Sequence, residues 1–99
     1  MINVMNKRTY RGSDGVYVGR PNVLGNPFYL KSESERDKVI AEYDIWLTEK
    51  LKSDTPQKRE IRRLRKLYKT AGELTLICWC APKACHADVI KRFIEGGAA

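Results

Sequence analysis

The sequence predicts a small α/β domain of two or three layers, with a short, mostly parallel sheet and about three helices. Three observations lead to this prediction. Short β-rich apolar runs alternate with longer segments of helical periodicity. Strands separated by helices are normally parallel. The chain has 99 residues, the length of one domain, so we expect a single domain over residues 1–99.

The N-terminal quarter predicts two strands and a loop. Ile2 and Val4 alternate with polar residues, which favours an edge strand within the first eleven residues. Val16-Tyr17-Val18 is rich in β-branched and aromatic side chains and predicts a second strand. Gly19–Phe28 contains two glycines, two prolines and two asparagines, a mixture typical of a loop.

A long helix is predicted next. Ser32 and Ser34 each precede an acidic residue three positions on, as in a capping box at a helix start. The helix should run to about Leu51. Its apolar residues recur at helical spacing: Val39, Ile40, Tyr43, Trp46 and Leu47.

A second, basic helix follows. Thr55 is a suitable N-cap, Pro56 suits the first helical position, and Gly72 is a typical C-terminal stop. The apolar stripe is narrow, and Lys and Arg occupy most other positions of this segment.

The last third predicts a buried strand and a final helix. Leu74–Cys80 is nearly all apolar, as in a strand buried on both faces, and alternation places Trp79 in the core opposite its two cysteine neighbours. After a break containing Pro82, a helix should start near Cys85 or His86. We expect Gly96-Gly97 to end it.

Two loops carry the chemically informative residues, Gly19–Phe28 and Cys78–Asp88. Each follows a strand and leads toward a helix, so both should emerge at the carboxyl ends of the strands. Open α/β sheets bind ligands at that edge.

Composition narrows the partners and the compartment. The net charge of +7 favours an anionic partner, such as a nucleotide, another phosphorylated small molecule or a nucleic acid. No apolar run is long enough to span a membrane, and the first residues lack the apolar core of a signal peptide. The odd number of cysteines predicts reduced thiols and a cytoplasmic location.

The first loop has the residue types of an anion and nucleotide site. Gly19 and Gly25 permit positive φ or close backbone approach. Arg20 offers a planar fork for phosphate, and Asn26 offers both a donor and an acceptor. The alternative is a rigid turn in which Asn26 caps backbone groups and Arg20 pairs with an acid.

The second loop allows three interpretations. Cys78, Cys80, Cys85 and His86 could hold zinc, although the spacing lacks two separated knuckles. Cys85, at a helix start, could have a depressed pKa and act as a nucleophile, with His86 as acid or base. Cys78 is best interpreted as a small core residue, whereas Cys80 suits the core or a pocket wall equally.

An anion site is also predicted where the last helix begins. Its N-terminal amides, with Lys83 and Arg20, could bind a phosphate. Asp88 could accept a hydrogen bond from a ligand hydroxyl or from His86, or only favour the helix dipole.

The motifs Tyr17–Pro21, Leu24–Phe28, Cys78–Pro82 and Cys85–Asp88 resemble the domain of unknown function 4326 family. The resemblance covers nearly the whole chain. It implies a small α/β domain from a bacterium or a phage, and no known reaction. Its matching positions are Arg20, Asn26, Cys80, Cys85, His86 and Asp88.

The function we expect is the binding or processing of a nucleotide-like anionic small molecule between the two loops. Catalysis would involve Cys85 and His86, and binding would involve Gly19, Arg20, Asn26, Cys80, Lys83 and Asp88. A phage protein of this kind could sequester a host nucleotide signal without chemistry. Walker, metalloprotease and paired-carboxylate motifs are missing. Two alternatives stay open: nucleic-acid binding through the basic helix 56–70, and a zinc-stabilised interaction module. Apart from zinc in that last alternative, we expect no metal and no cofactor.

Overall fold

A parallel sheet and a layer of helices make up the computed structural model, which describes residues 1–81 and 83–96. The strands and helices within those ranges are β1 Ile2–Asn6, β2 Val16–Tyr17, α1 Arg36–Lys50, α2 Pro56–Ala71, β3 Leu74–Cys78 and α3 His86–Gly96. A 3-10 turn at Glu33–Glu35 precedes α1. The predicted fold class, a small α/β domain with a short parallel sheet and three helices, is confirmed.

The last strand in the chain lies in the centre of the sheet. The order is β1-β3-β2, and both outer strands run parallel to β3. Ile2 pairs with Leu74 on one side, and Val16 pairs with Leu76 on the other. Since β2 and β3 are parallel neighbours, the loops that follow them leave the same edge of the sheet, as the sequence predicts.

The two faces of β3 differ in what covers them. Leu74, Leu76 and Cys78 belong to a buried cluster with side chains from all three helices. Ile77, on the other face, lies outside that cluster and is covered by the turn before β2, where Gly15 lies against it. The core placement predicted for Trp79 is wrong: its side chain is 54% exposed, because the helices pack on the opposite face.

The ends of α2 follow the sequence signals. The Thr55 hydroxyl accepts a hydrogen bond from the Lys58 amide at 3.1 Å, and Pro56 is the first helical residue. Gly72 ends the helix with a φ of 77°, in the left-handed region that favours glycine.

The start of α1 differs from its prediction. Neither serine caps the helix: α1 begins at Arg36, and its N-cap Glu35 makes no side-chain cap bond. The hydroxyls of Ser32 and Ser34 lie 2.9 Å apart and pair with each other, which occupies the groups a capping box would need. The predicted end near Leu51 agrees with the observed end at Lys50.

The final helix begins at His86 and extends to Gly96; Gly97, predicted to end it as well, lies outside the described residues. Its first turn is capped by Asp88, whose carboxylate accepts a 2.9 Å hydrogen bond from the Cys85 amide. Within the described ranges, no helix combines the length and apolarity needed to cross a membrane.

Candidate functional site

The first loop is held rigid by its own asparagines. The side chain of Asn22 accepts from the Leu24 amide, and that of Asn26 accepts from the Phe28 amide, both at 2.8 Å. Helix α1 anchors the loop from below, because the buried Tyr43 hydroxyl donates to the Leu24 carbonyl at 2.6 Å. The loop therefore has a fixed shape before any ligand arrives.

Two glycines are required in this loop for close approach rather than for positive φ. Among the described residues, Gly72 is the glycine with positive φ. A Cβ on Gly25 would lie 2.9 Å from the Arg20 backbone nitrogen, and one on Gly19 would overlap the Tyr17 hydroxyl. Of the two roles the sequence allows, the structure assigns close approach to both.

The second loop is tied to its surroundings at several carbonyls. The Asn6 side chain donates to the carbonyls of Trp79 and Ala81, at 3.0 and 2.9 Å. Arg36 donates to the Ala84 carbonyl at 2.8 Å. These bonds fix the segment on either side of Pro82, which itself lies outside the described residues.

A cavity of about 350 Å³ opens where the two loops meet. Its wall combines both loops with the beginning of α1. The lining residues are Tyr17, Gly19, Arg20, Asn26, Phe28, Leu30, Arg36, Val39, Ile40, Trp79, Cys80, Ala84, Cys85 and His86. Most of this surface is apolar or aromatic, with a few polar groups, as in small-molecule sites generally.

His86 is buried at the boundary between the cavity and the core. Its Nε2 lies 2.8 Å from the Val18 carbonyl oxygen, and its ring meets Tyr43 edge-on at a centroid distance of 5.1 Å. A carbonyl only accepts, so Nε2 carries the proton and Nδ1 carries the lone pair. Burial lowers the pKa of His86, and the nearby Arg20 charge lowers it further, so the ring is neutral at pH 7.

Arg20 is an exposed cation beside the cavity. Its guanidinium carbon lies 4.2 Å from the centre of the Tyr29 ring, and no carboxylate pairs with it in the ranges that the structure describes. The alternative in which Arg20 pairs with an acid is therefore not what the structure contains. The other half of that alternative, Asn26 as a backbone cap, is present.

Arg36 and Lys83 are already engaged by one carboxylate. Arg36 makes two hydrogen bonds with Glu33, at 2.9 and 2.7 Å, and Lys83 lies 3.3 Å from the same side chain. The hydrogen bonds from Arg36, and then that from Lys83, lower the pKa of Glu33 to about 2. Hydrogen bonds to Glu33 and then to the Cys80 sulfur raise the pKa of Arg36. This network holds the second loop against α1.

The three cysteines have different environments. Cys78 and Cys85 are buried, and the Cys85 thiol donates to the Cys78 sulfur at 3.2 Å. That bond, together with burial, raises the pKa of Cys85, so the predicted depressed pKa is wrong. The helix N-terminus does not activate the thiol because Cys85 is only 3% exposed where it borders the cavity, and a buried thiolate is poorly solvated. Cys80 is partly exposed and lines the cavity.

The structure brings six of the eight predicted site residues to the cavity. They are Gly19, Arg20, Asn26, Cys80, Cys85 and His86. Lys83 and Asp88 lie outside its lining, since Lys83 pairs with Glu33 and Asp88 caps α3. The predicted anion site at the α3 N-terminus is thus partly filled by the protein's own carboxylate.

A scan of protein-family models matches residues 2–96 to the family described as Domain of unknown function (DUF4326). The chain belongs to the DUF4326 family. Searches of the curated proteins and of the solved structures each found no match.

Sequence reasoning missed several lining residues of this DUF4326 chain. The sequence pattern places Trp79 in the core and Val39 and Ile40 on the packed face of α1. It gives Arg36 no role, although the spacing of three from Glu33 is a usable signal for a fixed guanidinium. Phe28, the last residue of the first loop, adds an apolar ring to the cavity wall.

The alternative interpretations of the DUF4326 chain remain predictions. In the described part of the chain, no three His, Cys, Asp or Glu side chains converge as a metal site, although metal analysis of the protein is what would decide the zinc alternative. On α2, Arg59 and Arg63 pair with Asp54 and Glu60, which leaves fewer cations available to a nucleic-acid backbone.

Proposed function

We propose that the cavity binds a nucleotide-like anionic small molecule, with its anion at Arg20 and its ring against an aromatic wall formed by Tyr17 and Trp79. The observation that supports this most is the combination at one opening of an arginine without a carboxylate partner and a half-exposed tryptophan, Trp79. An exposed arginine and an exposed tryptophan contribute little to the packing of the core. Together they suit a ligand that carries both a negative charge and a ring.

The aromatic wall is pre-organised for a planar group. The Trp79 indole N–H donates to the Tyr17 hydroxyl at 3.0 Å, and that hydroxyl donates to the Arg20 carbonyl at 2.9 Å. The two rings and the Arg20 backbone are therefore linked. Stacking of one base on an aromatic side chain contributes about 1–3 kcal/mol, so this wall can supply a substantial part of the affinity.

The anion contacts come from Arg20 and the Asn26 amide. Because the Asn26 oxygen accepts from Phe28, its Nδ2 remains as a donor in the described structure. Arg36 is held by Glu33, so its guanidinium is not free to form the main contact with the anion. Hydrogen bonds to charged groups contribute about 1.5–3 kcal/mol each, which makes Arg20 the contact whose loss should matter most.

Binding without a covalent step fits the site better than chemistry at Cys85, whose thiol is buried and protonated. The unpaired state of the three cysteines supports a reducing compartment. We therefore place the ligand in the bacterial cytoplasm, for the bacterial or phage origin that the family resemblance implies.

The test is calorimetric titration with AMP, GMP, CMP, UMP and inorganic phosphate. Arg20→Ala should weaken the nucleotide that binds wild type by about 10- to 100-fold. Arg62→Ala, which removes an exposed arginine from the basic helix, is the matched control and should bind as wild type does. The proposal fails if no nucleotide binds wild type, or if the two variants bind alike.

A further inference from the structure

The remaining ring nitrogen of His86 faces the cavity. Nε2 is used by the Val18 carbonyl, and Nδ1 has no protein partner in the ranges that the structure describes. In those ranges, no buried side-chain nitrogen or oxygen is both sealed from solvent and without a hydrogen bond. Nδ1 is therefore accessible, and the accessible surface beside this otherwise buried ring is the cavity that it lines.

We infer that the Nδ1 lone pair of His86 accepts a hydrogen bond from the ligand, from an N–H of its base or an O–H of its sugar, and so orients a single nucleotide with that end inward. This inference rests on the proposed function. It adds the orientation of the bound ligand and a residue that selects for a hydrogen-bond donor on that ligand. A neutral imidazole with one nitrogen anchored is a fixed acceptor, since the Val18 bond sets both the tautomer and the ring orientation.

The charges around His86 give the same orientation. Arg20 and Arg36 are the charged side chains of the described residues that line the cavity, and Arg36 is already held by Glu33. Asp88 caps the first turn of α3 and is an acidic group whose charge acts on His86. Tyr43, from α1, and Cys85 complete its surroundings as neutral groups. A phosphate placed against the Nδ1 lone pair would be repelled by it and by Asp88, whereas at Arg20 it gains a cation.

The size of the cavity favours a mononucleotide over a dinucleotide. About 350 Å³ is near the lower limit of the roughly 300–1,000 Å³ found for small-molecule sites. A ligand with one ring system and one phosphate group suits a cavity of this size, and both His86 and Arg20 line it.

Two substitutions separate the ligand contact from the structural role of His86. His86→Gln keeps a donor at the ε position for Val18 and removes the acceptor at the δ position. His86→Asn does the reverse, since its side-chain oxygen occupies the δ position and cannot reach Val18. Each variant is titrated with AMP, with purine riboside monophosphate, which lacks the amino group of AMP, and with 2′,3′-dideoxy-AMP, which lacks both sugar hydroxyls. Thermal melting reports on folding in parallel.

One of the two analogues should reveal the donor. Wild type should prefer AMP over that analogue by about three- to tenfold, His86→Gln should lose this preference, and His86→Asn should keep it. Equal loss of all three ligands in His86→Gln would mean a structural role and overturn the inference. If binding depends on Arg20 but His86→Gln keeps the wild-type preferences, this inference alone fails. If no nucleotide binds wild type, the proposed function fails with it.

Discussion

Removing one hydroxyl from the core tests whether the first loop depends on α1 for its shape. Tyr43 is 0% exposed, and its hydroxyl donates to the Leu24 carbonyl at 2.6 Å. Tyr43→Phe leaves that buried carbonyl without a partner among the described residues. An unsatisfied buried acceptor costs about 1–3 kcal/mol. With an unfolding entropy of about 2.1 cal/mol/K per residue, the melting temperature should fall by about 5–15 °C.

Urea unfolding followed by circular dichroism measures the loss in free energy of unfolding directly. The matched control is Tyr29→Phe. Tyr29 is 70% exposed, so the same atomic change there should alter the free energy of unfolding by less than about 0.5 kcal/mol. If Tyr43→Phe is as stable as Tyr29→Phe, the loop is not held by this hydrogen bond. If the slope of the free energy of unfolding against urea concentration is the same in both variants and in wild type, the folded and unfolded states of the three proteins are comparable.

Three further outcomes are expected. The free energy of unfolding should decrease as the pH falls below about 6.5, the ordinary His pKa, because the lowered pKa of His86 keeps it neutral in the folded protein while the unfolded chain takes up a proton. The urea midpoints of wild type at pH 7 and pH 5.5 should therefore differ, and this difference should shrink in His86→Gln. An equally large difference in His86→Gln would contradict the prediction. With Ellman's reagent, native protein should react quickly at Cys80 and slowly at Cys78 and Cys85, and all three should react in denaturant; rapid reaction of all three in native protein would show that the pair is not buried. Gly25→Ala should lower the melting temperature and weaken nucleotide binding, since a Cβ there meets backbone at 2.9 Å; normal melting would mean that the loop yields easily.

Much of the fold follows from local signals in the sequence. Thr55 and Gly72 mark the two ends of α2 because a cap and a left-handed stop are set by the residues themselves. The adjacent parallel strands β2 and β3 follow from the alternation of strands and helices, and they place both loops at one edge.

What the sequence could not provide is which surfaces meet. Alternation puts Trp79 opposite Cys78, but whether a helix covers that second face depends on how the whole chain packs. The same holds for Cys85, whose helix-start position suggests activation until the Cys78 sulfur is found against it. Arg36 lies in α1, for which the apolar periodicity predicts only a face packed on the core. Its position at the cavity results from tertiary packing.

The central position of β3 has a consequence for how the protein is made. Ile2 and Val16 both pair with residues of one strand, and the partner of Ile2 lies about seventy positions along the chain. Such pairings give a high contact order, so the sheet closes slowly compared with the helices. Neither of the first two strands has a sheet partner until Leu74–Cys78 has been synthesised, and the loop that follows β2 must wait for the loop that follows β3. A growing chain that carries every residue of the first loop therefore carries no binding cavity.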